Sequence, residues 1–378
     1  MRVGIVANEP SGDLLGAALM RALQQMRPDV VFQGVGGPRM IEQGCHSLYP
    51  MEGLSVMGLF EVLRHLPGIL RIRRGLSRRF RADPPDLFIG IDAPDFNLGL
   101  EAQLKRRGIP TVHYVCPSVW AWRPGRVKQI RRAVDLLLSI LPFEEAFLAP
   151  HQVSVRYVGH PLADDLTPGD ALAARRSLGI AAEAPVVALL PGSRVGEVGR
   201  LAGVFLQTAR WCWQQRPDLH FAVPLVSDTT RQVVERELLQ LGVSLPITLV
   251  QGHSREVMTA ADVVLTASGT AALEAMLLER PMLVGYRLSA MTYWLVNGLA
   301  LVKVPYVSLP NLLADEELVP EFMQHACVPE TLGPALLRLL ADPRRRESMR
   351  SRFRELGAVL RQGSSQRAAA AVLELVGS

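Results

Sequence analysis

The stretch that decides the fold is DVVLTASGTAALE, which runs from Asp262 to Glu274. Its apolar and β-branched part, Val263 to Thr266, is typical of a buried parallel strand. The small residues from Ser268 to Thr270 then lead into a run of strong helix formers. A helix start reached through such a turn offers free N–H groups and a positive dipole end, so the stretch predicts a phosphate site.

A glutamate follows this helix start at a spacing that suits a contact with a bound nucleotide. Glu274 lies one helical turn beyond Thr270, on the same face of the predicted helix. Its two oxygens can accept hydrogen bonds from the neighbouring hydroxyls of a ribose. The alternative is a helix capped by small residues and followed by a solvated glutamate, and this segment alone does not separate the two.

Strand and helix patterns alternate along the whole chain, which indicates a parallel α/β fold. At 378 residues the chain is long enough for two domains. We expect a first domain over 1–165, a second over 166–345, and C-terminal helices over 346–378 that return to the first. The linker is placed near 161–171, where prolines and a glycine interrupt the pattern. The expected strands are 3–7, 30–35, 86–91, 111–115, 136–141, 155–158, 186–190, 221–226, 247–250, 263–266 and 282–286.

Composition excludes several classes of protein. The longest uncharged apolar stretch, 288–302, is interrupted by polar residues, so no membrane-spanning helix is expected. The apolar run at the N-terminus ends too early for a signal peptide, and the four cysteines lack metal or redox spacing, which indicates a cytoplasmic protein. No G-x-G-x-x-G follows the first strand, so a nicotinamide enzyme is not expected. The net charge of +5 suggests an acidic partner, either a polyanion or a membrane surface.

Asp92 stands at the carboxyl end of a predicted buried strand, in the segment IDAPDFN. Ligands bind at this edge of parallel sheets, so Asp92 is a candidate general base for a substrate hydroxyl. The alternative is a turn-forming aspartate before Pro94. Asp95 is expected to cap the following helix. A metal site is not expected, because no histidine or further acid joins the two aspartates at ligand spacing.

Three further loops follow predicted strands in the same way. NEPSGD (8–13) forms a predicted polar loop after the first strand. PGSR (191–194) follows a strand in the second domain, where backbone N–H groups and the Arg194 cation can stabilise a phosphate leaving group. The tryptophan-rich loop CPSVWAWR (116–123) either stacks on a sugar or packs internally, and the two interpretations stay open.

The stretch from Leu54 to Arg81 combines apolar and basic character. A break at Pro67-Gly68 is expected to separate an apolar helix from a basic amphipathic one, a pattern that predicts contact with a membrane surface. The alternative is a sheet-covering helix with a solvated basic face. The residues expected to contact the membrane are Phe60, Leu63, Leu66, Ile69, Ile72, Arg71, Arg73 and Arg74.

Several sequence blocks in one order resemble the lipid-A-disaccharide synthases, a family of GT-B inverting glycosyltransferases, over essentially the whole chain. The blocks are EPSGD (9–13), GVGGPRM (34–40), GIDAPDFN (90–97), HYVCPSVWAWR (113–123), LPGSR (190–194), ASGTAALE (267–274), VGYR (284–287) and YVSLPNLL (306–313).

The resemblance implies two Rossmann-like domains that face each other across a cleft, and a reaction without a cofactor. The donor would be UDP-2,3-diacylglucosamine and the acceptor 2,3-diacylglucosamine 1-phosphate (lipid X). The products would be the β-1,6-linked disaccharide 1-phosphate and UDP. The enzyme would be cytoplasmic and peripherally associated with the cytoplasmic face of the inner membrane through its first, acceptor-binding domain. No nucleic acid partner is implied, and a homodimer is compatible with the resemblance.

The resemblance also implies roles for individual residues. Asp92 would be the base, with Glu9 a second candidate for base or sugar binding, and Arg194 and the helix start at Ser268 would hold the diphosphate. Glu274 would hold the ribose and Asn311 would make a polar substrate contact. The remaining implied substrate-binding residues are Ser11, Asp13, Ser193, Gly269, Thr270, Tyr286 and Arg287.

Two rival functions stay open from the sequence. One is another UDP-sugar enzyme of GT-B type, such as an epimerase or a peptidoglycan-type transferase, which shares the second-domain chemistry without needing the basic apolar stretch. The other is a non-catalytic protein that binds acidic lipids, which leaves the features at Asp92 and Glu274 unexplained. Turnover of unacylated UDP-N-acetylglucosamine would favour the first, and absence of UDP binding would favour the second.

Overall fold

The computed structural model describes residues 1–54, 59–122, 124–289 and 304–377, with the side chains of 59–64, 122 and 124 excluded. The chain divides into two compact units. Unit 1 comprises Met1–Asp164 and Leu360–Ser378, and unit 2 comprises Asp165–Val359.

Unit 1 is built on a seven-stranded, fully parallel sheet with the strand order β3-β2-β1-β4-β5-β6-β7. Its central strands are continuous apolar runs, as expected for a sheet covered on both faces. All five residues of β4 are buried. The strands are β1 Arg2–Ala7, β2 Val31–Val35, β3 Cys45–Ser47, β4 Leu87–Ile91, β5 Thr111–Tyr114, β6 Leu136–Ser139 and β7 Val155–Tyr157.

Helices connect these strands and cover the sheet. They are α1 Pro10–Met26, α2 Pro38–Glu42, α3 Leu59–Ala82, α4 Pro94–Lys105, α5 Val119–Trp122, α6 Val127–Ala133, α7 Phe143–Leu148 and α8 Pro161–Asp165, with short 3₁₀ turns at Met51–Gly53, Pro124–Arg126 and Ala149–His151.

Unit 2 repeats the arrangement on a six-stranded parallel sheet with the order β10-β9-β8-β11-β12-β13. Its strands are β8 Val186–Leu190, β9 His220–Leu225, β10 Ile247–Gln251, β11 Val263–Thr266, β12 Met282–Tyr286 and β13 Glu321–Met323. Its helices are α9 Ala171–Ser177, α10 Val195–Gln215, α11 Asp228–Leu241, α12 Ser254–Ala260, α13 Thr270–Leu277, α14 Leu309–Ala314, α15 Pro329–Ala341 and α16 Pro343–Leu360, with a 3₁₀ turn at Gln324–Ala326.

The chain returns to unit 1 at Leu360, later than the expected boundary at 345. Most of α16 stays in unit 2 because its apolar side chains are buried there, with Met349 and Phe353 almost fully covered. The last helix, α17 Ser364–Leu375, packs on α1 and belongs to the core of unit 1. Its alanines on the inward face allow the two helices a close approach.

Two local expectations are wrong. Pro67 does not break the helix, because α3 runs without interruption from Leu59 to Ala82. Pro67 lies among exposed residues, so water can solvate the carbonyl that loses its partner.

The second wrong expectation concerns the start of α1. The helix α1 begins at Pro10, so most of the segment expected as a loop over 8–13 is the first helical turn. Proline is favoured at that position, because its fixed φ suits a helix start and its missing N–H would be unpaired there anyway.

Candidate functional site

The largest concentration of candidate site residues lies in a cavity of unit 2. It has a volume of about 510 Å³ and lies at the carboxyl ends of β8, β9 and β11. This is the edge at which parallel α/β sheets bind ligands. The residues that line it are Leu190, Gly192, Ser193, Arg194, Glu197, Pro224, Leu225, Val226, Gly252, His253, Ser254, Ala267, Ser268, Gly269, Thr270, Ala271 and Glu274.

The turn between β11 and α13 presents a helix start to this cavity. Gly269 precedes the helix with φ +127° and ψ −151°, a conformation that favours glycine. The N–H of Ala272 bonds to the Gly269 carbonyl at 3.1 Å, whereas the N–H groups of Thr270 and Ala271 have no acceptor among the described residues. Two unpaired donors at the positive end of a helix make this wall suited to an anion.

Arg194 also lines this cavity, immediately before α10. Its side chain is exposed and makes no hydrogen bond or ion pair within the described ranges. The preceding loop is held by Glu197, whose carboxylate accepts the Ser193 N–H at 3.3 Å. A Cβ at Gly192 would lie 2.2 Å from that carboxylate, so only glycine fits there. Burial raises the pKa of Glu197. The loop is therefore fixed while the Arg194 guanidinium stays available to a ligand.

Glu274 completes the cavity. Its side chain is half-buried, and its carboxylate makes no hydrogen bond or ion pair in the part of the chain that the structure describes. Burial raises its pKa, and the charge of Arg255 acts in the opposite direction. An unpaired and partly desolvated carboxylate is suited to accept hydrogen bonds from ligand hydroxyls.

In unit 1, Asp92 directly follows β4. Its φ is +50° and that of Ala93 is +42°, so two successive non-glycine residues adopt left-handed backbone. The Asp92 N–H bonds to the Tyr114 carbonyl at 2.8 Å, whereas its half-buried carboxylate has no partner in the described chain. Unfavourable backbone of this kind concentrates at functional sites.

The neighbouring strand β1 brings the other acidic candidates to the same sheet edge, because Ala7 pairs with Ile91 of β4. Glu9 is half-buried at the N-cap of α1, and Ser11 is exposed in the first turn. Asp13 is 3% exposed. Its carboxylate accepts the N–H groups of residues 37, 39 and 40 at 2.8, 3.0 and 3.0 Å, and so anchors α2. The structure gives Asp13 a structural role, and a substrate contact stays a prediction.

Comparison with known proteins identifies the family. The sequence profile described as Lipid-A-disaccharide synthetase matches residues 3–375. A lipid-A-disaccharide synthase of Alkalilimnicola ehrlichii is 55% identical, with 100% of this chain and 99% of the relative covered. One of Chromohalobacter salexigens is 53% identical, with 100% and 97% covered. The chain belongs to the lipid-A-disaccharide synthase family.

Solved structures confirm the GT-B fold of this lipid-A-disaccharide synthase family member. A UDP-GlcNAc 2-epimerase from Neisseria meningitidis, bound to UDP-GlcNAc, has a TM-score of 0.63 at 13% identity, with 99% of each chain covered. A glycosyltransferase involved in lipopolysaccharide biosynthesis has a TM-score of 0.57 at 13% identity, with 100% of each covered. At these identities the likeness shows the fold alone.

Three other residues expected to bind substrate in this synthase family member, Tyr286, Arg287 and Asn311, do not line the unit 2 cavity. The Arg287 guanidinium donates to the Cys327 carbonyl at 2.6 Å. Asn311 is fully buried, and its side-chain amide bonds to Val319 and Glu321 at 2.8 Å. Tyr286 is half-buried, and burial raises its pKa. Arg287 thus ties the end of β12 to the segment after β13, and Asn311 ties α14 to the start of β13. Their substrate contacts stay predictions.

The structure also places two residues of the sequence blocks in unit 1, Trp120 and Asp95. Sequence left the role of Trp120 open and assigned Asp95 wrongly. The indole N–H of Trp120 donates to Glu144 at 3.1 Å, and its ring packs edge-on against Phe143 at a centroid distance of 5.0 Å. Trp120 thus has packing partners within unit 1, whereas the Trp122 side chain and residue 123 of the same loop lie outside the described residues. Asp95 does not cap α4, because the N-cap position is Ala93 and Asp95 is the second helical residue, where its exposed carboxylate forms an ion pair with Arg126.

The basic helix α3 carries an open groove of about 620 Å³, lined by Tyr49, Leu66, Pro67, Leu70, Arg71, Arg74, Gly75 and Arg78. Arg71, Arg74 and Arg78 are exposed and make no ion pair with a described residue. The Arg73 guanidinium lies against α4 instead, 2.7 Å from where a Cβ at Gly99 would be. Leu66 is 39% exposed, Ile69 and Ile72 pack partly on the core, and the side chains of Phe60 and Leu63 lie outside the described residues.

No group of three or more metal-ligating side chains occurs within the described ranges. None of the helices described combines the length and the apolar character needed to cross a bilayer.

Glu144 provides a prediction about stability. Its side chain is 1% exposed, and burial raises its pKa from 4.5 to about 7. Between these values the folded state binds the proton and the unfolded state does not, so this group lowers stability as pH rises through that window. We expect Glu144→Gln to abolish this loss, which amounts to about 3 kcal/mol at most.

Urea unfolding of both proteins at a series of pH values measures this effect. The free energy of unfolding of the variant minus that of the wild type should increase from pH 4.5 to 7. Glu42→Gln, at an exposed position, controls for the loss of one charge. A difference that does not vary with pH would mean that Glu144 keeps an ordinary pKa in the folded protein.

Proposed function

We propose that this chain is an inverting glycosyltransferase that joins UDP-2,3-diacylglucosamine to 2,3-diacylglucosamine 1-phosphate, with release of UDP. The observation that carries the proposal is the match to lipid-A-disaccharide synthases along the whole chain. The site geometry supports it, because unit 2 has a cavity suited to a nucleoside diphosphate and unit 1 presents an unpaired carboxylate at a strand end.

Unit 2 would bind the donor. The unpaired N–H groups at the start of α13 and the Arg194 guanidinium would hold the diphosphate, and Glu274 would accept hydrogen bonds from the two ribose hydroxyls. As the bond between the sugar and the diphosphate breaks, negative charge grows on the leaving UDP. The backbone N–H groups at the start of α13 are held in place before the reaction, so they would stabilise that charge with little reorganisation.

Unit 1 would supply the base. Asp92 would take the proton from the acceptor 6-hydroxyl while the oxygen forms a bond to C1 of the donor sugar. The bond from C1 to the diphosphate oxygen breaks, and its electron pair leaves with UDP. Attack from the side opposite the leaving group inverts the anomeric centre and gives a β-1,6 linkage. Glu9 is the second candidate for the base.

Substrate preference tests this proposal against the UDP-sugar rival. Purified protein in detergent should release UDP when it is given both acylated substrates, and should form one disaccharide per UDP. It should not turn over UDP-N-acetylglucosamine alone. Turnover of the unacylated sugar nucleotide without the acylated pair would favour an epimerase, and absence of UDP binding would favour a non-catalytic lipid-binding protein.

The ribose contact of Glu274 gives a further prediction. We expect Glu274→Ala to weaken UDP binding by about tenfold, because a hydrogen bond to a charged group is lost. The loss should be smaller for 2′-deoxy-UDP, which lacks one of the two hydroxyls. Isothermal titration of both nucleotides with both proteins measures this difference. An equal loss for the two ligands would place Glu274 away from the ribose.

We also propose that unit 1 docks on the cytoplasmic face of the inner membrane through the groove on α3. Its exposed arginines adjoin the apolar side chains of Leu66 and Leu70, a combination suited to an anionic lipid surface. Substrates with acyl chains reside in such a surface, so docking would bring the acceptor to its site.

Replacing Arg71, Arg74 and Arg78 together by glutamine tests this docking. Each arginine near an anionic surface contributes about 1 kcal/mol, so the triple variant should bind phosphatidylglycerol-containing vesicles about 10²-fold more weakly. Replacing Arg106, Lys128 and Arg132 changes the charge equally at exposed positions of the same unit and should preserve binding. Equal sedimentation of the two triple variants with vesicles would exclude docking through α3.

A further inference from the structure

A buried polar cluster lies beneath the turn that holds Asp92. It consists of Asn97 and Glu101 on α4 and His113 on β5, all 0% exposed. The imidazole Nδ1 of His113 lies 2.7 Å from Glu101 Oε1. The Asn97 amide donates to the carbonyls of Ile91 and Asp92 at 3.2 and 2.9 Å. The mechanism above uses none of these three side chains.

The three side chains meet over one backbone position. Gly90 of β4 pairs with His113 in the parallel register. A Cβ at Gly90 would lie 2.1 Å from Glu101 Oε1 and 2.9 Å from the Cβ of Asn97. The absent side chain at Gly90 thus makes room for the cluster, directly before the strand end that carries Asp92.

If this cluster served only to fill space, its burial would cost free energy compared with apolar side chains. Burial raises the pKa of Glu101, and the interaction with His113 opposes this shift. Glu101 Oε2, His113 Nε2 and Asn97 Oδ1 are buried and have no hydrogen-bond partner among the described residues. Apolar side chains of similar volume would fill this space without such unpaired atoms, and replacing a buried pair in that way is often neutral or stabilising. A role beyond stability therefore has to account for the cluster.

We propose that Asn97 and the Glu101–His113 pair are positioning residues that fix the direction of the Asp92 carboxylate. This inference rests on the proposed role of Asp92 as the base. The Asn97 amide holds two successive carbonyls at the end of β4, in a turn where Asp92 and Ala93, two successive non-glycine residues, adopt left-handed backbone. The Glu101–His113 contact ties α4 to β5 and so fixes the distance between Asn97 and the strand end.

Two variants remove the cluster in different ways. Asn97→Leu removes both amide hydrogen bonds at similar volume. The double variant Glu101→Leu with His113→Phe replaces the buried pair by apolar groups, which should preserve or increase thermal stability. We expect each to lower kcat by on the order of 10²-fold, as a misplaced reacting group does, with UDP affinity and the donor KM unchanged. A merely structural role would change stability and leave kcat unaltered.

A double-mutant cycle with Asp92→Asn decides whether the cluster acts through Asp92. Each variant is measured alone and in the Asp92→Asn background, with UDP binding as the test of folding. The proposal expects no further loss of kcat in that background. If kcat of the combined variant falls by the product of the two separate losses, or if a folded cluster variant keeps wild-type kcat, the positioning role is overturned. The proposed function would stay intact in both cases. Full activity of Asp92→Asn would instead overturn the base assignment, and the positioning role with it. If Asn97→Leu does not fold, the apolar pair carries the test.

Discussion

Asp92→Asn is expected to lower kcat by about 10³-fold, because the amide cannot take the proton from the acceptor hydroxyl. UDP affinity should not change, since the cavity that we assign to UDP belongs entirely to unit 2 and Asp92 to unit 1. Steady-state assays of UDP release with both acylated substrates, together with titration of UDP, separate these two quantities.

The chain offers a matched control for this experiment. Asp95→Asn makes the same chemical change three residues away, at an exposed carboxylate paired with Arg126, and should retain wild-type kcat. If Asp92→Asn also retained activity, the base would have to be another group, with Glu9 the next candidate. Loss of activity in both variants would indicate damage to the turn between β4 and α4 rather than loss of a base.

The second large effect is expected at Arg194. Arg194→Ala should lower kcat/KM by about 10²-fold to 10³-fold, because a cation at the leaving diphosphate stabilises the charge that grows there. UDP binding should also weaken, since UDP carries the same diphosphate. Arg194→Lys keeps the charge without the planar two-donor geometry, so it should restore only part of the loss.

Arg236→Ala is the control for Arg194→Ala. Arg236 is exposed on α11 of the same unit, has no partner among the described residues and does not line the cavity. Its replacement should leave kcat/KM unchanged. Unchanged UDP affinity and kcat in Arg194→Ala would contradict the assignment of the diphosphate to this edge of unit 2.

Much of this architecture could be predicted because parallel strands carry a strong local signal. The buried runs at β4, β8 and β11 are continuous and apolar, and each is followed by small or polar residues. A strand end that precedes a helix also lies at the binding edge of the sheet. The strand pattern therefore predicts that Arg194 and the Ser268 turn lie at one edge of the sheet, and the helical spacing from Thr270 adds Glu274. All three residues line the unit 2 cavity.

The features that sequence missed depend on contacts distant in the chain. The edge strands β3 (Cys45–Ser47) and β13 (Glu321–Met323) contain no β-branched residue and so lack a strand pattern, unlike the equally short β7, which contains Val155 and Tyr157. Sequence alone suggests that Asp13 contacts a ligand, whereas in the structure its carboxylate accepts the N–H groups of residues 37, 39 and 40. Glu101 lies inside an ordinary helical pattern, and only the fold brings it to His113.

Analysis of the reaction product is the most direct test of the proposed inverting transfer. The protein would be incubated with UDP-2,3-diacylglucosamine and lipid X, and the product isolated for mass spectrometry and for NMR of its glycosidic linkage. We expect one UDP for each disaccharide 1-phosphate, with a β linkage to the acceptor 6-oxygen. UDP release without a disaccharide, or an α linkage, would contradict an inverting transfer between these two substrates.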